Sequence, residues 1–176
     1  MELELEPPPG DVHEMAERAV EYVRNAVGIT LGYDAETLPV LDHYLRTAPK
    51  DQPAAVDLLA AVAGAYFGEV ARRTAGGEWH TDEADPLRWR LVLTGELELH
   101  PIAIAAQAIL LDDGEHDGTF DVPAEDRDAV AEALTAQGEV PIDEYYSLCG
   151  RLEALVFVAD MLAARRALRA ARPPEV

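Results

Sequence analysis

The sequence predicts an α+β protein that is predominantly helical, with about six helices and a small three-stranded antiparallel meander. Three observations carry this prediction. Apolar residues recur at helical spacing along most of the chain. Between residues 78 and 100 they alternate with polar residues instead, which is typical of half-buried strands. No repeat or low-complexity linker divides the chain, so residues 1–176 are expected to form one domain, with residues 1–10 as an acidic N-terminal arm.

Three helices are predicted in the first half of the chain. The first begins at a capping box made by Asp11 and Glu14 and ends before Gly28. The second covers residues 37–47. The third covers residues 53–74 and is apolar on most sides, so we expect it to be buried.

The core is predicted where the third helix meets the last one. Small residues four apart on the third helix make a groove that another element can approach closely; they are Ala60, Gly64 and Gly68. The last helix, predicted over residues 142–171, is apolar almost all round in its middle and is expected to be the central core helix. We expect the groove to be filled by Leu155, Val156, Ala159 and Leu162.

The meander and two further helices are predicted between these elements. The three strands are expected at residues 78–81, 87–94 and 96–100, with a turn at Thr94–Gly95. Helices follow at residues 101–111 and 121–138, separated by the loop sequence DDGEHDG.

The net charge of −20 limits the partners of the protein. A phosphate backbone requires clustered cations, so direct nucleic-acid binding is not expected. Acidic proteins associate readily with basic ones, although the acidity can also serve solubility alone. No apolar run is expected to reach the length of a membrane span, and the acidic start is unlike a signal peptide, so we expect a cytoplasmic protein.

Residues for nucleophilic catalysis or phosphate binding are scarce. Ser147 and Cys149 are the only serine and the only cysteine, and both are predicted to lie within the last helix. A single cysteine also excludes an intramolecular disulfide. The glycines of GAYFG lie inside a helix rather than at a helix start, where phosphate binds. We therefore expect neither a catalytic residue nor a bound cofactor.

A metal site is the best hypothesis for an enzyme. His80 and Asp82 lie two residues apart, so on a strand both point to one face, although Asp82 can instead belong to the turn before Pro86. His100 ends the last strand of the meander. Glu69 lies on the helix that leads into the sheet. Two histidines and a carboxylate can hold zinc or iron with an open coordination position. The histidine spacing matches no metalloenzyme motif, so we expect edge or surface histidines and no metal.

Acidic residues on apolar helices require a structural explanation. Glu69 and Arg73 lie four residues apart in the favourable order for a helical ion pair. Asp57 and Asp160 interrupt apolar helices, and such an acid pairs, stays at the helix edge or shifts its pKa. We expect structural pairing with cations such as Arg88, Arg90 or Arg151.

The string AYFGEVARR, followed by GGEW, resembles a pattern in families of bacterial proteins with domains of unknown function. In these families a helix precedes G-G-x-W and a small sheet, and some members are similar to immunity or accessory proteins of toxin systems. The resemblance implies no activity and no catalytic residues. The motif positions in this chain are Tyr66, Gly68, Glu69, Arg73, Gly76, Gly77 and Trp79.

These observations favour a non-catalytic acidic module that binds a basic protein partner, as an immunity or accessory protein does. The alternative is a small metal-dependent enzyme that uses His80, His100 and a carboxylate. The last helix ends in Arg165, Arg166, Arg169 and Arg172, which exceeds what the helix dipole requires. These arginines are expected to lie on the acidic surface of their own chain or of a second copy, and we predict a homodimer that weakens with salt.

Overall fold

Helices form most of the computed structural model, which describes residues 6–113 and 120–171. The α+β, predominantly helical prediction is confirmed, with one more helix and one more strand than expected. The helices are α1 (Gly10–Val27), α2 (Leu38–Arg46), α3 (Pro53–Ala75), α4 (Pro101–Leu110), α5 (Arg127–Ala136), α6 (Ile142–Tyr145) and α7 (Leu148–Ala170). The strands are β1 (Gly77–His80), β2 (Arg90–Leu93), β3 (Leu97–Leu99) and β4 (Phe120–Asp121).

The centre of the core is formed by α3 and α4, not by α7. Residues 62–72 of α3 and 101–109 of α4 are buried without interruption. The groove on α3 exists, but α4 fills it, because a Cβ atom at Gly64 would lie 2.7 Å from the backbone nitrogen of Ile102. The last helix instead packs one face inward, which leaves Val156 half-buried and Phe157 exposed. Our expectation that α7 is the central helix was wrong.

The helix α3 is long and apolar enough to cross a membrane, alone among the described helices. The expectation that no apolar run reaches this length was therefore wrong. In the folded chain, 67% of its most apolar window is buried against the rest of the protein. A core helix surrounded on most sides has the same composition as a membrane span, because both have apolar neighbours all round.

The sheet is antiparallel with the strand order β1-β2-β3-β4. Trp79 pairs with Leu91, and Leu91 pairs with Leu99, so these three residues share the buried face. The predicted meander is confirmed, and β4 adds two residues that pair with Glu98 and Leu99. Two residues are too few to show an alternating pattern, which explains why this strand was not predicted.

Element bounds differ from prediction at several places. The helix predicted over residues 121–138 begins only at Arg127, because Asp121 belongs to β4, and the strand predicted from residue 87 begins at Arg90, after a 3-10 turn at Pro86–Arg88. Gly28 adopts the left-handed conformation with φ of 79° and ends α1 as predicted. The start is earlier than the predicted capping box, at Gly10 directly after the prolines, and Asp11 makes no capping hydrogen bond. The predicted last helix is interrupted at Ser147, which separates α6 from α7. Residues 114–118 of the DDGEHDG loop lie outside the described residues.

Candidate functional site

The motif residues meet in a buried network at the corner between α3 and the sheet. Glu69 and Arg72 lie three residues apart and therefore share one helix face. Both carboxylate oxygens of Glu69 accept from Arg72, at 2.8 Å from Nε and 2.9 Å from Nη2. The indole nitrogen of Trp79 also donates to Glu69, at 2.7 Å. We call these three buried residues the Glu69 cluster.

Arg72, rather than Arg73, is the main partner of Glu69. The predicted pair is longer, with 4.0 Å between Nε of Arg73 and Oε2 of Glu69, and Arg73 is half-exposed. Its guanidinium lies instead 4.3 Å from the ring centre of Tyr33. Tyr66 supports the same loop, because its hydroxyl accepts from the Tyr33 backbone at 2.9 Å. Burial is the main cause that raises the pKa of both tyrosines.

Glycines of the motif let the chain turn and pack at this corner. A Cβ atom at Gly68 would overlap the ring of Trp79, so only glycine lets the indole lie against α3. Gly76 has a φ of 73°, in the region that favours glycine, and it reverses the chain from α3 into β1. The corner is thus a folding feature, and its polar groups are already occupied. Both oxygens of Glu69 already accept hydrogen bonds from Arg72, and one of them also accepts from Trp79.

The hypothesised metal site takes a carboxylate from Glu69, but in the structure this carboxylate is bound to Arg72 and Trp79. His80 pairs with Arg90 across β1 and β2, on the polar outer face of the sheet, while Glu69 contacts the inner face. His100 lies 3.7 Å from Glu98, and Arg90 also binds Glu98, at 3.2 Å. Asp82 is exposed. Across residues 6–113 and 120–171, no three histidine, cysteine or acidic side chains form a group suited to a metal.

The ion pairs predicted for Asp57 and Asp160 are not found in the described residues. Asp57 and Asp160 are both exposed, and neither takes part in a salt bridge among the described residues, so the expected pairing was wrong. Both acids lie on the solvent side of their helices. Water solvates their charge there, so no cation is needed.

The arginines near the end of α7 bind the acidic surface of their own chain. Arg165 and Arg169 both bind the buried carboxylate of Asp126, the former at 2.6 Å. Arg166 donates to the backbone oxygen of Gly95 at 2.9 Å and lies 3.5 Å from Glu96. The first of the two expected placements is therefore found for three of the four arginines, and Arg172 lies outside the described residues.

Ser147 and Cys149 lie at the start of α7 and take part in the hydrogen bonds that cap this helix. The Ser147 hydroxyl accepts from the Gly150 backbone at 2.9 Å and donates to the Glu144 carbonyl at 2.7 Å. Asp42 on α2 accepts from the Leu148 and Cys149 backbones at 2.7 and 3.0 Å. Burial, with a hydrogen bond to Asp42, raises the pKa of the Cys149 thiol to about 12. Neither side chain is prepared for nucleophilic attack.

A groove beside this helix start contains a buried arginine, Arg151. It lies between α5, α6, α7 and β4 and has a volume of about 580 Å³. We call it the α6–α7 groove; its lining includes Phe120, Leu134, Val140, Glu144, Tyr145, Arg151, Glu153 and Ala154.

Arg151 forms the floor of the α6–α7 groove and is buried. Its Nη2 donates to the Gln107 side chain at 3.0 Å, and its guanidinium lies 4.5 Å from the ring centre of Tyr145. Within the described part of the chain, its Nε is the one buried side-chain polar atom without a hydrogen-bond partner. Sequence reasoning considered Arg151 only as a counter-ion. Its position four residues before Leu155, on the buried face of α7, was the available signal.

The fold and these two regions define an α+β protein with a closed polar cluster at one corner and an open, partly apolar groove elsewhere. The chain was also compared with known proteins. No protein-family model, no curated protein and no solved structure matches it.

Proposed function

We propose that this protein is a non-catalytic acidic interaction module that binds a basic protein partner through the α6–α7 groove. The observation that carries the proposal is the combination of exposed apolar residues with unpaired acids around this groove. Val140 and Tyr145 line the groove and are exposed large hydrophobic residues, and Ile142, between them in the chain, is exposed as well. Exposed apolar groups clustered beside a groove are typical of protein-binding surfaces.

The charge around the groove supports a basic partner. The acids Glu139, Asp143, Glu144 and Glu153 are exposed, and none takes part in a salt bridge among the described residues. Most described arginines are paired elsewhere, so they do not neutralise this side of the protein. Unpaired acids around an apolar centre attract a cationic surface and then exclude water from the contact.

The proposed partner class is a basic toxin domain of the nuclease type, as the resemblance to immunity-like families suggests. A nuclease presents cations to the phosphate backbone, and an acidic protein can cover the same surface. A homodimer remains a prediction, although it would compete with the contacts that Arg165, Arg166 and Arg169 make within the chain. Light scattering over a salt series tests it, and a monomer at every ionic strength would contradict it.

A matched pair of substitutions tests the groove as the binding surface. Val140 lines the groove, Leu58 lies on α3, and each side chain is 46% exposed. We expect Val140→Arg to abolish capture of the partner at low salt, because it places bulk and positive charge where the basic partner docks. Leu58→Arg makes the same change outside the groove and should leave capture intact.

The measurement is affinity capture from the host at low salt, followed by mass spectrometry and by binding of the purified candidate over a salt series. A partner that is basic and captured by the wild type and Leu58→Arg, but not by Val140→Arg, supports the proposal. Equal capture by both variants, or affinity that does not fall with salt, contradicts it.

A further inference from the structure

Arg151 is a buried cation whose hydrogen-bonding capacity is incomplete. The residue is 8% exposed, and its Nε has no acceptor in the described structure. The rings of Tyr145 and Tyr146 lie 4.5 and 5.5 Å from the centre of its guanidinium. Aromatic faces stabilise the positive charge but do not replace an oxygen acceptor at an N–H group. An oxygen atom supplied by a ligand would complete this arrangement.

The chemistry of the guanidinium selects the type of oxygen. Its planar fork of N–H groups matches a carboxylate, which accepts two parallel hydrogen bonds. A second, smaller cavity lies directly beside Arg151 and is lined mainly by apolar residues such as Ile104, Leu155 and Val158. That cavity measures about 20 Å³, which is too small for a side chain, so an apolar group attached to the carboxylate would lie in the α6–α7 groove itself.

The residues around the groove limit the chemical class of the ligand further. Phe120, Leu134 and Val140 provide apolar walls next to the arginine. Glu144 and Glu153 lie at the same groove and repel additional acids, but they attract lysine and arginine. A basic chain that ends in an apolar residue has this combination, because its last residue carries a carboxylate and an apolar side chain on one Cα atom.

We propose that the α6–α7 groove binds the C-terminal residue of the basic partner, with its carboxylate on Arg151 and its side chain against the apolar walls. This inference rests on the proposed function. Tyr145 is 49% exposed and lies over the guanidinium from a helix of four residues, and the proposal requires this ring to move aside so that the carboxylate reaches the buried Nε. The lysines and arginines before the C-terminus then lie near Glu144 and Glu153.

The test compares acids with amides on the unmodified protein. The probes are fluorescein-labelled pentapeptides of the form Lys-Arg-Lys-Ala-X, in which X is alanine, valine, leucine or phenylalanine. Each is made with a free C-terminal carboxylate and as the C-terminal amide. We expect fluorescence anisotropy to give at least about tenfold tighter binding for the best acid than for its amide. Equal affinity of acid and amide throughout the set overturns the proposal.

Substitutions of Arg151 test whether this residue causes the difference in affinity between acid and amide peptides. Arg151→Gln should remove the difference between acid and amide, and Arg151→Lys should keep only part of it, because lysine retains the charge without the fork. Arg88→Gln changes an exposed arginine outside the groove and should preserve the difference. Circular dichroism and thermal melting show which variants fold. If Arg151→Gln does not fold, the acid–amide comparison on the wild type decides.

A third set separates this inference from the proposed function. Glu144→Gln combined with Glu153→Gln should weaken acid and amide peptides by the same factor, because these acids bind the lysines and arginines. Binding that depends on the two acids but is equal for acid and amide refutes the carboxylate site and leaves the proposed function standing. The proposed function fails separately, if Val140→Arg captures the same partner as the wild type.

Discussion

Arg72 and Arg151 make the most informative comparison within the molecule. Both are buried arginines on long helices, with exposures of 6% and 8%. Arg72 has a carboxylate across its fork, and its Nη1 donates to the backbone oxygen of Glu6 at 3.0 Å. Arg151 has a neutral amide oxygen, two aromatic rings and an Nε without an acceptor in the described residues.

The contrast between Arg72 and Arg151 shows that burial of a charge does not by itself identify a functional residue. A buried charge whose partners are complete becomes costly to the fold when one partner is removed. A buried charge that lacks a partner is costly in the free protein and becomes favourable when a ligand completes it. The Glu69 cluster belongs to the first kind, and Arg151 belongs to the second kind if it binds the proposed carboxylate.

The largest effect is expected when each arginine is replaced by methionine. Arg72→Met leaves the Glu69 carboxylate buried without its counter-charge, so the free energy of unfolding should fall by about 3–5 kcal/mol. Arg151→Met removes a charge that has no carboxylate partner among the described residues, and the loss should stay below about 2 kcal/mol. Urea unfolding of both variants measures this. Equal losses would erase the distinction between the two regions.

Replacing Glu69 removes the negative charge of the Glu69 cluster and tests the same distinction between paired and unpaired buried charges. Glu69→Gln should also cost about 3–5 kcal/mol, because it leaves the Arg72 guanidinium buried without a carboxylate. The control is Glu14→Gln, which breaks the exposed ion pair between Glu14 and Arg18 and should cost less than about 1 kcal/mol. Chemical denaturation of the two variants in parallel decides. A small loss for Glu69→Gln would mean that water reaches the cluster.

A third buried charge, Asp126, extends the comparison to pH. Hydrogen bonds from Arg169 and Arg165 hold the pKa of Asp126 below its usual value. Because the folded-state pKa is depressed, the stabilisation is present above the unfolded pKa of about 3.9 and is lost as the pH falls through the folded pKa.

Asp126→Asn tests this acid dependence. The melting temperature of the wild type should exceed that of the variant near neutral pH, and the difference should shrink below about pH 4. Asp160→Asn changes an exposed acid on the same helix as the two arginines and should track the wild type at every pH. A wild-type advantage for Asp126 that is independent of pH would contradict the assigned cause.

The smallest effect concerns Cys149, which lies two residues before Arg151 on α7. Since its thiol pKa is about 12, a colour-forming disulfide reagent at pH 8 should react very slowly with the folded protein. Reaction should become fast after unfolding in urea, and one thiol per chain makes the readout unambiguous. Rapid reaction of the folded protein would reveal an activated cysteine.

Features encoded locally were predictable from the sequence. The stop at Gly28, the long apolar α3 and the alternating strands follow from spacing and turn chemistry within a few residues. The groove on α3 was also predicted, but the sequence could not identify α4 as its occupant. Packing partners depend on which elements meet in space, and two apolar helices satisfy the same pattern.

The candidate site was less predictable for the same reason. Arg72 and Arg73 are adjacent, and the choice between them depends on where Trp79 folds back against α3. Arg151 lies on a buried helix face, but its missing acceptor is visible only once all neighbours are placed. A sequence therefore indicates which charges are unusual, and the structure shows which of them are satisfied.

Asp42 caps the start of α7 and thereby joins two parts of the chain that are far apart in the sequence. This contact affects the order in which the elements fold. Its carboxylate accepts from backbones 106 and 107 residues further along. The entropy lost in closing such a loop precedes the gain from the contact, so contacts of this range form late in folding. We therefore expect the first turn of α7 to order only after α2 has docked. A nascent chain would then form the α6–α7 groove as one of its last folding events, after the helices and sheet of its first half are in place.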